Sequence, residues 1–477
     1  MKKQALNPYL PSYEYIPDGE PHVFGDRVYV YGSHDRFNGG GFCMNDYITW
    51  SAPVDDLSDW RYEGVIYKKT DDPHYKGRGS MYAPDVCRAP DGKYYLYYAF
   101  NPGITRKSWA IRCAVSDSPS GPFRYHGEVD LYPYSREFLP FDPAVYVEDG
   151  RVWLYYGSGM FFPVLGTSKK KVMGGAVVEL DPADMLTLKG KPVQTMPSGG
   201  ELGGHSFFEA SSMRKIGDRY YFVYSSAIGH ELCYAVGDSP VGPFTFGGTI
   251  VSNGDIGLLE VHNGPKTASN YTGNTHGGIL TLKDKNYIFY HRQTNRNCFS
   301  RQGCAEEIKV EPDGSIKQVE MTSCGLNGGP LEGSGEYEAR IACNLTSRKG
   351  GRFHSKPFGK NKAGCHPYFT QSGGDREGDG DQYIANFCNG AMAGFKYFYI
   401  KNLKRIGVTV RGNAEGIMYV RNEPFGAVVA EIAIHPTASD KTFYGEYGGD
   451  DGKKALYFTF EGKGKIDKFT KIVLERG

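Results

Sequence analysis

The chain has 477 residues, more than one ordinary hydrophobic core organises, so two domains are expected. Its 55 basic and 54 acidic residues leave a formal net charge of +1, which gives no support for a nucleic-acid partner or an anionic membrane surface. Tyrosine and glycine are abundant, at 36 and 64 residues, and together they favour short strands and tight turns over helices.

The first twenty residues and the cysteines bear on where the protein is located. The N-terminal stretch has two lysines but no apolar segment of signal-peptide length, and no window approaches a membrane span. The ten cysteines form no CxxC pair, which in a chain of this size predicts reduced thiols rather than a disulfide framework. We therefore expect a cytoplasmic protein with no membrane partner; nothing in the sequence indicates its oligomeric state.

In chain order, five units share one layout: a polar residue, a first strand, a short polar turn, an aromatic second strand and a third strand. The units begin near Asp18, Ala83, Phe141, Phe207 and Asn274. Two of them contain the nearly identical segments AVSDSPSGPF and AVGDSPVGPF, so chance similarity is a poor explanation. Five repeats of a small antiparallel sheet predict an all-β fold, a five-bladed β-propeller over residues 1–325, with a two-sheet sandwich as the alternative.

One ionisable residue stands at the opening of each unit, and three of the four steps between these residues span 67 positions. The five are Asp18, Asp85, Asp142, Glu209 and His276. Because the first strand of each propeller blade lines the central axis, the five side chains are expected to converge there. Carboxyls held close together acquire different pKa values, so that one stays protonated beside an ionised neighbour. The alternative is that each residue only caps the end of a strand.

After residue 325 the repeat stops in a glycine-rich segment, and five strand-like runs follow: FKYFYIKNL, RIGVTVRG, GIMYVRN, AVVAEIAI and KKALYFTFEG. Their alternation of apolar and polar residues predicts a separate β-sandwich over residues 331–477, of the carbohydrate-binding type. The acidic segment 373–382 is compatible with calcium binding, but it lacks EF-hand spacing and is equally compatible with a solvated loop.

Carboxyl groups in a funnel rich in Tyr and Trp are the groups that glycosidic-bond cleavage requires, one to donate a proton and one to activate water or attack carbon. The motifs also resemble those of glycoside hydrolase family 43 over the first 320 residues. The matching segments are Asp18 before RVYVYGSHD, APD before GKYYLYY, DP before DGRVWLYYG, Glu209 before RYYFVYS, and HGG before YIFYHR.

This resemblance implies a five-bladed propeller of the β-xylosidase or α-L-arabinofuranosidase type. It implies an inverting, exo-acting enzyme that releases arabinofuranose or xylose from plant-derived xylan or arabinan oligosaccharides. The C-terminal part resembles a family 6 carbohydrate-binding module, either with a sugar site or packed against the propeller.

Carried over by position, the resemblance gives roles to single residues. Asp18 is then the general base, Asp142 the carboxylate that orients the acid and raises its pKa, and Glu209 the general acid. His276 resembles the axial histidine beside a water-coordinated Ca²⁺. The implied substrate contacts are Tyr82, Asp85, Arg292 and His34.

Several alternatives remain open at this level. Alignment on Pro21 would make Glu20 the base, although the offset from Arg27, which matches that of Asp142 from Arg151, favours Asp18. His276 is equally compatible with a structural role, and His34 with closing a turn. The competing functions are a non-catalytic glycan-binding propeller and an interaction propeller of the WD or kelch kind. Within the enzyme class, a retaining mechanism is the alternative. The loops 168–171 and 295–300 are expected to wall the sugar subsites, so the sequence leaves open xylose or arabinofuranose and exo or endo action.

Overall fold

The computed structural model describes residues 3–102, 108–159, 173–258, 268–352, 359–375 and 381–477. These residues form an all-β structure with strands β1 to β32. The described helices are three-residue 3-10 turns at Lys69–Asp71, Tyr132–Tyr134, Gly203–His205, Gly325–Asn327 and Ala339–Ile341. None of the helices in these ranges has the length and apolarity to cross a bilayer. All ten cysteines are free thiols, as expected, and the cytoplasmic location stays a prediction.

Five antiparallel sheets follow one another along the chain, and in each of them the strands pair in chain order. The first contains β1 (Glu20–Phe24), β2 (Arg27–Tyr31), β3 (Tyr47–Pro53) and β4 (Arg61–Tyr67). The second contains β5 (Ser80–Arg88), β6 (Tyr94–Asn101), β7 (Ala110–Ser116) and β8 (Arg124–Glu128). The third contains β9 (Ala144–Glu148), β10 (Arg151–Gly157), β11 (Gly174–Leu180) and β12 (Val193–Pro197).

The fourth sheet contains β13 (Phe207–Ile216), β14 (Arg219–Ser226), β15 (Glu231–Gly237) and β16 (Thr245–Ser252). The fifth contains β17 (Ile279–Leu282), β18 (Lys285–Gln293) and β19 (Arg301–Ile308). The first strands of the five sheets contact one another in cyclic order, from β1 through β5, β9, β13 and β17 back to β1. The described strand pairings close none of these sheets into a barrel.

Apolar side chains from the second and third strands fill the spaces between neighbouring sheets. One buried cluster lies between each consecutive pair of sheets. A further cluster joins the fifth sheet to the first, where Phe289 packs with Val28 and Trp50. Aromatic and β-branched residues dominate these strands because alternate side chains on both faces must fill such spaces.

Four sheets have a fourth strand that the three-strand layout did not predict: β4, β8, β12 and β16. Each pairs with another strand on one side only, and β16 has in addition a single bridge from Val251 to Val319. Such edge strands tolerate polar and glycine residues, and every residue of β8 is exposed or half-buried. The period-2 apolar signal is therefore weak in these segments.

The remaining strands form two larger sheets. The six-stranded sheet contains β20 (Leu331–Glu332), β22 (Asn344–Thr346), β26 (Met392–Ile400), β28 (Glu415–Arg421), β29 (Val428–Ile434) and β31 (Gly452–Lys463). The seven-stranded sheet contains β21 (Gly335–Glu338), β23 (Tyr368–Thr370), β24 (Tyr383–Ala385), β25 (Phe387–Cys388), β27 (Leu403–Gly412), β30 (Thr437–Glu446) and β32 (Lys465–Arg476).

One apolar cluster joins these two sheets, with Phe395 and Phe458 from the first meeting Phe469 from the second. Each of the five strand-like runs in the sequence overlaps a strand, whereas β30 and β32 were not predicted.

Buried polar contacts connect the C-terminal sheets to the first five. Lys396 on β26 donates to Asp255 at 2.9 Å and to Glu320 at 2.8 Å. Asn344 also donates to Asp255, at 3.0 Å. Removing one partner of a buried ion pair typically costs about 3–5 kcal/mol, because the other charge is left without compensation. This contact therefore holds the two regions firmly together.

Candidate active site

Two aspartates occupy matching positions just before the first strands of the first and third sheets. Asp18 and Asp142 each lie two residues before the first strand of a sheet, β1 and β9. Both have left-handed backbone conformations, with φ of 59° and 44°. Residues other than glycine rarely adopt this region, and such strain concentrates at functional sites. The shared conformation supports the nine-residue offset that favours Asp18 over Glu20 as the counterpart of Asp142.

The Asp18 carboxylate is buried beside a guanidinium. Arg301 Nη1 donates to Asp18 Oδ1 at 3.0 Å. The Asp18 backbone N–H donates to His291 Nδ1 at 3.3 Å, while His291 Nε2 donates to the Asn274 carbonyl at 2.8 Å. Burial by itself raises the pKa of Asp18, but Arg301 above all, followed by His291 and His276, holds the pKa below its ordinary value. Asp18 is therefore ionised at neutral pH.

A second aspartate fixes Arg301 in place. Arg301 Nε and Nη2 donate to the two oxygens of Asp35 at 2.8 and 3.0 Å. This bidentate geometry leaves Nη1 aimed at Asp18. The sequence does not mark Asp35 and Arg301 as a pair, because 266 residues separate them.

Glu209 lies on β13, where the strand is irregular. The β13–β14 register shifts on both sides of Glu209, and Ala210 has φ of 68°. The Ala210 N–H turns away from the ladder and donates to Asp142 Oδ2 at 3.1 Å. Bulges next to active sites typically redirect a side chain in this way. The irregularity links Glu209 to the third sheet through Asp142.

The carboxyl groups differ in protonation. Burial, followed by the charge of Asp18, raises the pKa of Glu209 to about 8 against the opposing effect of Arg301. Burial, followed by Glu209 and Asp18, raises the pKa of Asp142 well above its ordinary value. The charge of Asp18 acts on Glu209, and the charge of Glu209 acts on Asp142, so the three carboxyls interact as one group. The effect of Asp142 on the pKa of Glu209 stays a prediction. Near neutral pH the cluster holds one ionised carboxylate, Asp18, beside a protonated Glu209.

His276 stands among the carboxyls. Its Nδ1 lies 3.5 Å from Asp142 Oδ2 and 4.0 Å from Asp18 Oδ1, and its Nε2 lies 4.0 Å from Glu20 Oε1. Burial lowers the pKa of His276 to about 4, so the imidazole is neutral. Glu20 accepts from Ser212 at 3.0 Å and Arg214 at 2.7 Å through its other oxygen, and burial raises its pKa to about 8.

Polar atoms without partners surround His276. Among the described residues, His276 Nε2 and Glu20 Oε1 are buried with no hydrogen-bond partner. The same holds for hydroxyls adjacent to the cluster in sequence or register: Ser211, Ser225 and Thr275. Buried polar atoms of this kind normally contact ordered water or an ion. One imidazole nitrogen, one carboxylate and several hydroxyls fit a Ca²⁺ held largely through water, since calcium prefers oxygen ligands.

An aromatic wall contains the predicted contact Tyr82. Its half-buried ring stacks on Trp109, with centroids 6.1 Å apart, and contacts Phe141 at 5.4 Å. Trp109 and Phe141 were not singled out from the sequence. His34 Nδ1 donates to the Asp46 carbonyl at 2.8 Å, which closes the loop between β2 and β3.

Two predicted substrate contacts face other protein groups. Asp85 is fully buried, and its oxygens accept from His22 at 2.6 Å and from the Val86 and Val145 N–H groups at 2.8 Å. These contacts join β1, β5 and β9, so Asp85 is a structural link rather than a group at the rim.

Arg292, the other of these predicted substrate contacts, lies against the C-terminal region. It donates to the Ala342 carbonyl at 3.0 Å and stacks 4.0 Å above the Phe369 ring. These contacts give no support to its role as a substrate contact.

The predicted loops have different outcomes. The segment 168–171 lies outside the described residues, as do residues 376–380 of the acidic segment. In the remainder of that segment Asp375 accepts hydrogen bonds from Phe37 and Asn45. Asn295, in the loop 295–300, donates to the Phe369 carbonyl and to Asn38. The described part of the acidic segment and the loop 295–300 thus both border the contact between the two regions.

Comparison with known proteins agrees with this geometry. Residues 17–316 match the model of glycosyl hydrolases family 43. The chain is 47% identical to a xylosidase/arabinosidase of Thermoclostridium stercorarium over 97% of this chain and 98% of that protein. It is 30% identical to a xylosidase/arabinosidase of Bacteroides ovatus over 65% of this chain and 97% of that protein.

Solved structures are similar as well. A family 43 β-xylosidase/α-arabinofuranosidase from a compost metagenome, in complex with xylotriose and in a calcium-free form, has a TM-score of 0.54 and 27% identity over 67% of this chain and 98% of that chain. An arabinoxylan arabinofuranohydrolase from Bacillus subtilis has a TM-score of 0.52 and 20% identity over 99% of this chain and 97% of that chain, which shows a shared fold. The chain therefore belongs to glycosyl hydrolases family 43 and is a glycosidase.

Proposed function

We propose that the enzyme is an inverting, exo-acting glycosidase that releases xylose, arabinofuranose or both from xylan or arabinan oligosaccharides. The observation that carries this proposal is the split in protonation, with ionised Asp18 and protonated, half-buried Glu209 in one carboxyl cluster. Relatives named xylosidase/arabinosidase support the choice of pentose substrates. The partly exposed Tyr82 beside Trp109 supplies an aromatic face on which a sugar ring packs.

In the proposed reaction, water attacks the anomeric carbon while Asp18 accepts one of its protons. Glu209 donates its proton to the glycosidic oxygen as the bond to the leaving group breaks. The products are a free pentose of inverted anomeric configuration and a shortened oligosaccharide. Asp142 takes no proton in this step; its hydrogen bond with the Ala210 N–H holds the irregular part of β13 that carries Glu209.

A substrate screen tests the proposal. Purified enzyme is assayed with p-nitrophenyl β-xyloside, p-nitrophenyl α-L-arabinofuranoside and the matching oligosaccharides, and ¹H NMR follows the first anomer formed. We expect turnover of at least one aryl glycoside and an inverted first product. A retained first product would contradict the assignment of Asp18 as a base acting on water.

We also propose that the five sheets are the blades of a five-bladed propeller spanning residues 1–325, with a sandwich domain at 331–477. The cyclic contacts of the first strands and the apolar cluster between the fifth and first sheets support the propeller. The common apolar cluster of the two C-terminal sheets supports the sandwich. A crystal structure showing five sheets around one axis tests the arrangement.

The C-terminal sandwich is proposed to bind glycan in the manner of a family 6 carbohydrate-binding module. Phe425 and Tyr399 are 86% and 56% exposed, and an exposed aromatic ring of this kind can stack on a sugar ring. The full-length Phe425→Ala variant should then bind insoluble xylan more weakly than wild type while hydrolysing aryl glycosides equally well. Equal retention on xylan would argue that this ring takes no part.

Calcium is proposed to occupy the space between His276 and Glu20, where it would supply positive charge next to the carboxyl cluster. The unpartnered buried atoms His276 Nε2 and Glu20 Oε1 support this placement. Removing the ion with EDTA should lower the melting temperature, and added Ca²⁺ should restore it. An unchanged melting temperature, together with no calcium in elemental analysis of the purified protein, would argue against a bound ion.

A further inference from the structure

Part of the C-terminal region contacts the loop of residues 36–45, which forms most of the connection from β2 to β3. Asp375 accepts from the Phe37 N–H at 2.9 Å through Oδ1 and from Asn45 Nδ2 at 3.1 Å through Oδ2. Asn38 Nδ2 also donates to the Gly373 carbonyl at 3.2 Å. One carboxylate thus joins both ends of this loop to the C-terminal region.

A second set of contacts joins Lys360 and Phe369 of the C-terminal region to Asn38 and Asn295. Lys360 Nζ donates to Asn38 Oδ1 at 2.6 Å and to Asn295 Oδ1 at 2.9 Å. Asn295 Nδ2 donates to Asn38 Oδ1 at 2.9 Å, and the Asn295 N–H donates to the Phe369 carbonyl at 2.8 Å. Asn295 lies in the connection from β18 to β19, the strand that begins with Arg301. Residues 359–375, which we call the strap, therefore hold both segments that carry the Asp35–Arg301 pair.

The loop held by the strap supports the Arg301 guanidinium directly. Asp35 immediately precedes the loop, and its Oδ1 accepts from the Cys43 N–H at 3.0 Å. The Phe42 ring lies 5.0 Å from the guanidinium carbon. Arg301 in turn donates to Asp18. Asp375 and Asp18 are therefore connected through the loop, Asp35 and Arg301.

We propose that the strap positions the catalytic base, and that Asp375 is a positioning residue that acts on Asp18 through Asp35 and Arg301. This inference rests on the proposed function, in which Asp18 activates water. It gives the C-terminal region a part in catalysis that is separate from any glycan binding by the sandwich. The proposal also gives a role to the acidic segment, in which the Asp375 carboxylate accepts from a backbone N–H and a side-chain amide.

The test compares Asp375→Ala and Asp375→Asn with a matched control, Asp440→Asn. Asp440 is a carboxylate of the same C-terminal region, exposed on β30 with a 3.7 Å ion pair to Arg411. Kinetics are measured with the aryl glycoside that wild type hydrolyses and with the matching oligosaccharide. Because water activation is needed for both substrates, Asp375→Ala should lower kcat about tenfold on each, with KM within about twofold. Asp440→Asn should match wild type.

A double-mutant cycle separates positioning from general stability. Arg301→Lys breaks the bidentate contact with Asp35, so Asp375→Ala added to it should cost less than about twofold more in kcat. Multiplicative losses in the double variant would overturn the proposal. So would a Asp375→Ala variant with a lowered melting temperature and unchanged kcat.

Asp375→Asn and Asn38→Ala serve the same test if Asp375→Ala fails to fold, because each removes part of the strap contact. An unchanged kcat in both variants overturns the proposal. Absence of wild-type turnover on all substrates would instead overturn the proposed function itself. The two failures are distinguished by the activity of the wild-type enzyme.

Discussion

The segment around Asp18 and the strand around Glu209 place similar carboxyl groups in opposite environments. Asp18 lies at 3.0 Å from a guanidinium that a second aspartate holds in place. Glu209 sits half-buried in the irregular part of β13, where the same Arg301 lowers its pKa by less than burial and the charge of Asp18 raise it. Burial raises the pKa of both groups, and the carboxyl that accepts a hydrogen bond from Arg301 is the one that stays ionised.

The largest expected effect follows from removing the ionised member of the pair. Asp18→Asn should lower kcat by roughly a thousandfold on aryl glycosides and oligosaccharides alike, because neither substrate supplies its own base. Glu20→Gln is the matched comparison: it should lose much less activity than Asp18→Asn, since the change weakens only the proposed calcium site and Glu20 takes no proton from water. Steady-state kinetics with both substrate kinds give the answer. Near-wild-type turnover by Asp18→Asn together with an inactive Glu20→Gln would show that Glu20 is the base.

Glu209→Gln should have an effect that depends on the leaving group. We expect a loss of about a hundredfold or more on oligosaccharides, whose leaving alkoxide needs a proton. On p-nitrophenyl glycosides, whose leaving group is already a weak base, the loss should be below about tenfold. The ratio of the two kcat/KM values is the measurement. Equal losses on both substrates would mean that Glu209 is not the proton donor.

Arg301→Lys should fall between these variants and a neutral change. Lysine keeps the charge but cannot contact Asp35 with two nitrogens while reaching Asp18 with a third. We expect kcat/KM to fall about tenfold, by the same factor on both kinds of substrate. A loss confined to oligosaccharides would place Arg301 on the leaving-group side instead.

Arg292→Met should have the smallest kinetic effect. Its contacts with the Ala342 carbonyl and the Phe369 ring are structural, so we expect kcat within about threefold of wild type. The free energy of unfolding should fall by about 1–3 kcal/mol, because buried partners lose their hydrogen bonds. Urea unfolding and kinetics on the same preparation test both parts. A large rise in KM without loss of stability would restore the predicted contact with substrate.

Some of these features were accessible from the sequence, for physical reasons. The β period and the recurring ionisable residue predicted the all-β class, the starts of the five sheets and the grouping of Asp18, Asp142 and His276. The outer strands such as β8 escaped prediction because one-sided pairing removes their apolar alternation. Arg301 escaped because its partners Asp35 and Asp18 are 266 and 283 residues away, and nothing local marks it. The sequence motif YHR marks Arg292 instead, and Arg292 is the arginine that the resemblance implies as a substrate contact.

The pH dependence of kcat/KM on an oligosaccharide, whose leaving group needs a proton, tests the division of roles between the two carboxyls when it is measured for wild type and Glu209→Gln. Activity requires ionised Asp18, so it should persist until the pH falls below the ordinary pKa of an aspartate. Activity also requires protonated Glu209, so it should decline as the pH rises through about 8, and this decline should vanish in Glu209→Gln. Two results would contradict this division of roles. One is a wild-type activity that already declines as the pH rises through about 4 to 5, the ordinary pKa of a glutamate. The other is an alkaline decline that persists unchanged in Glu209→Gln.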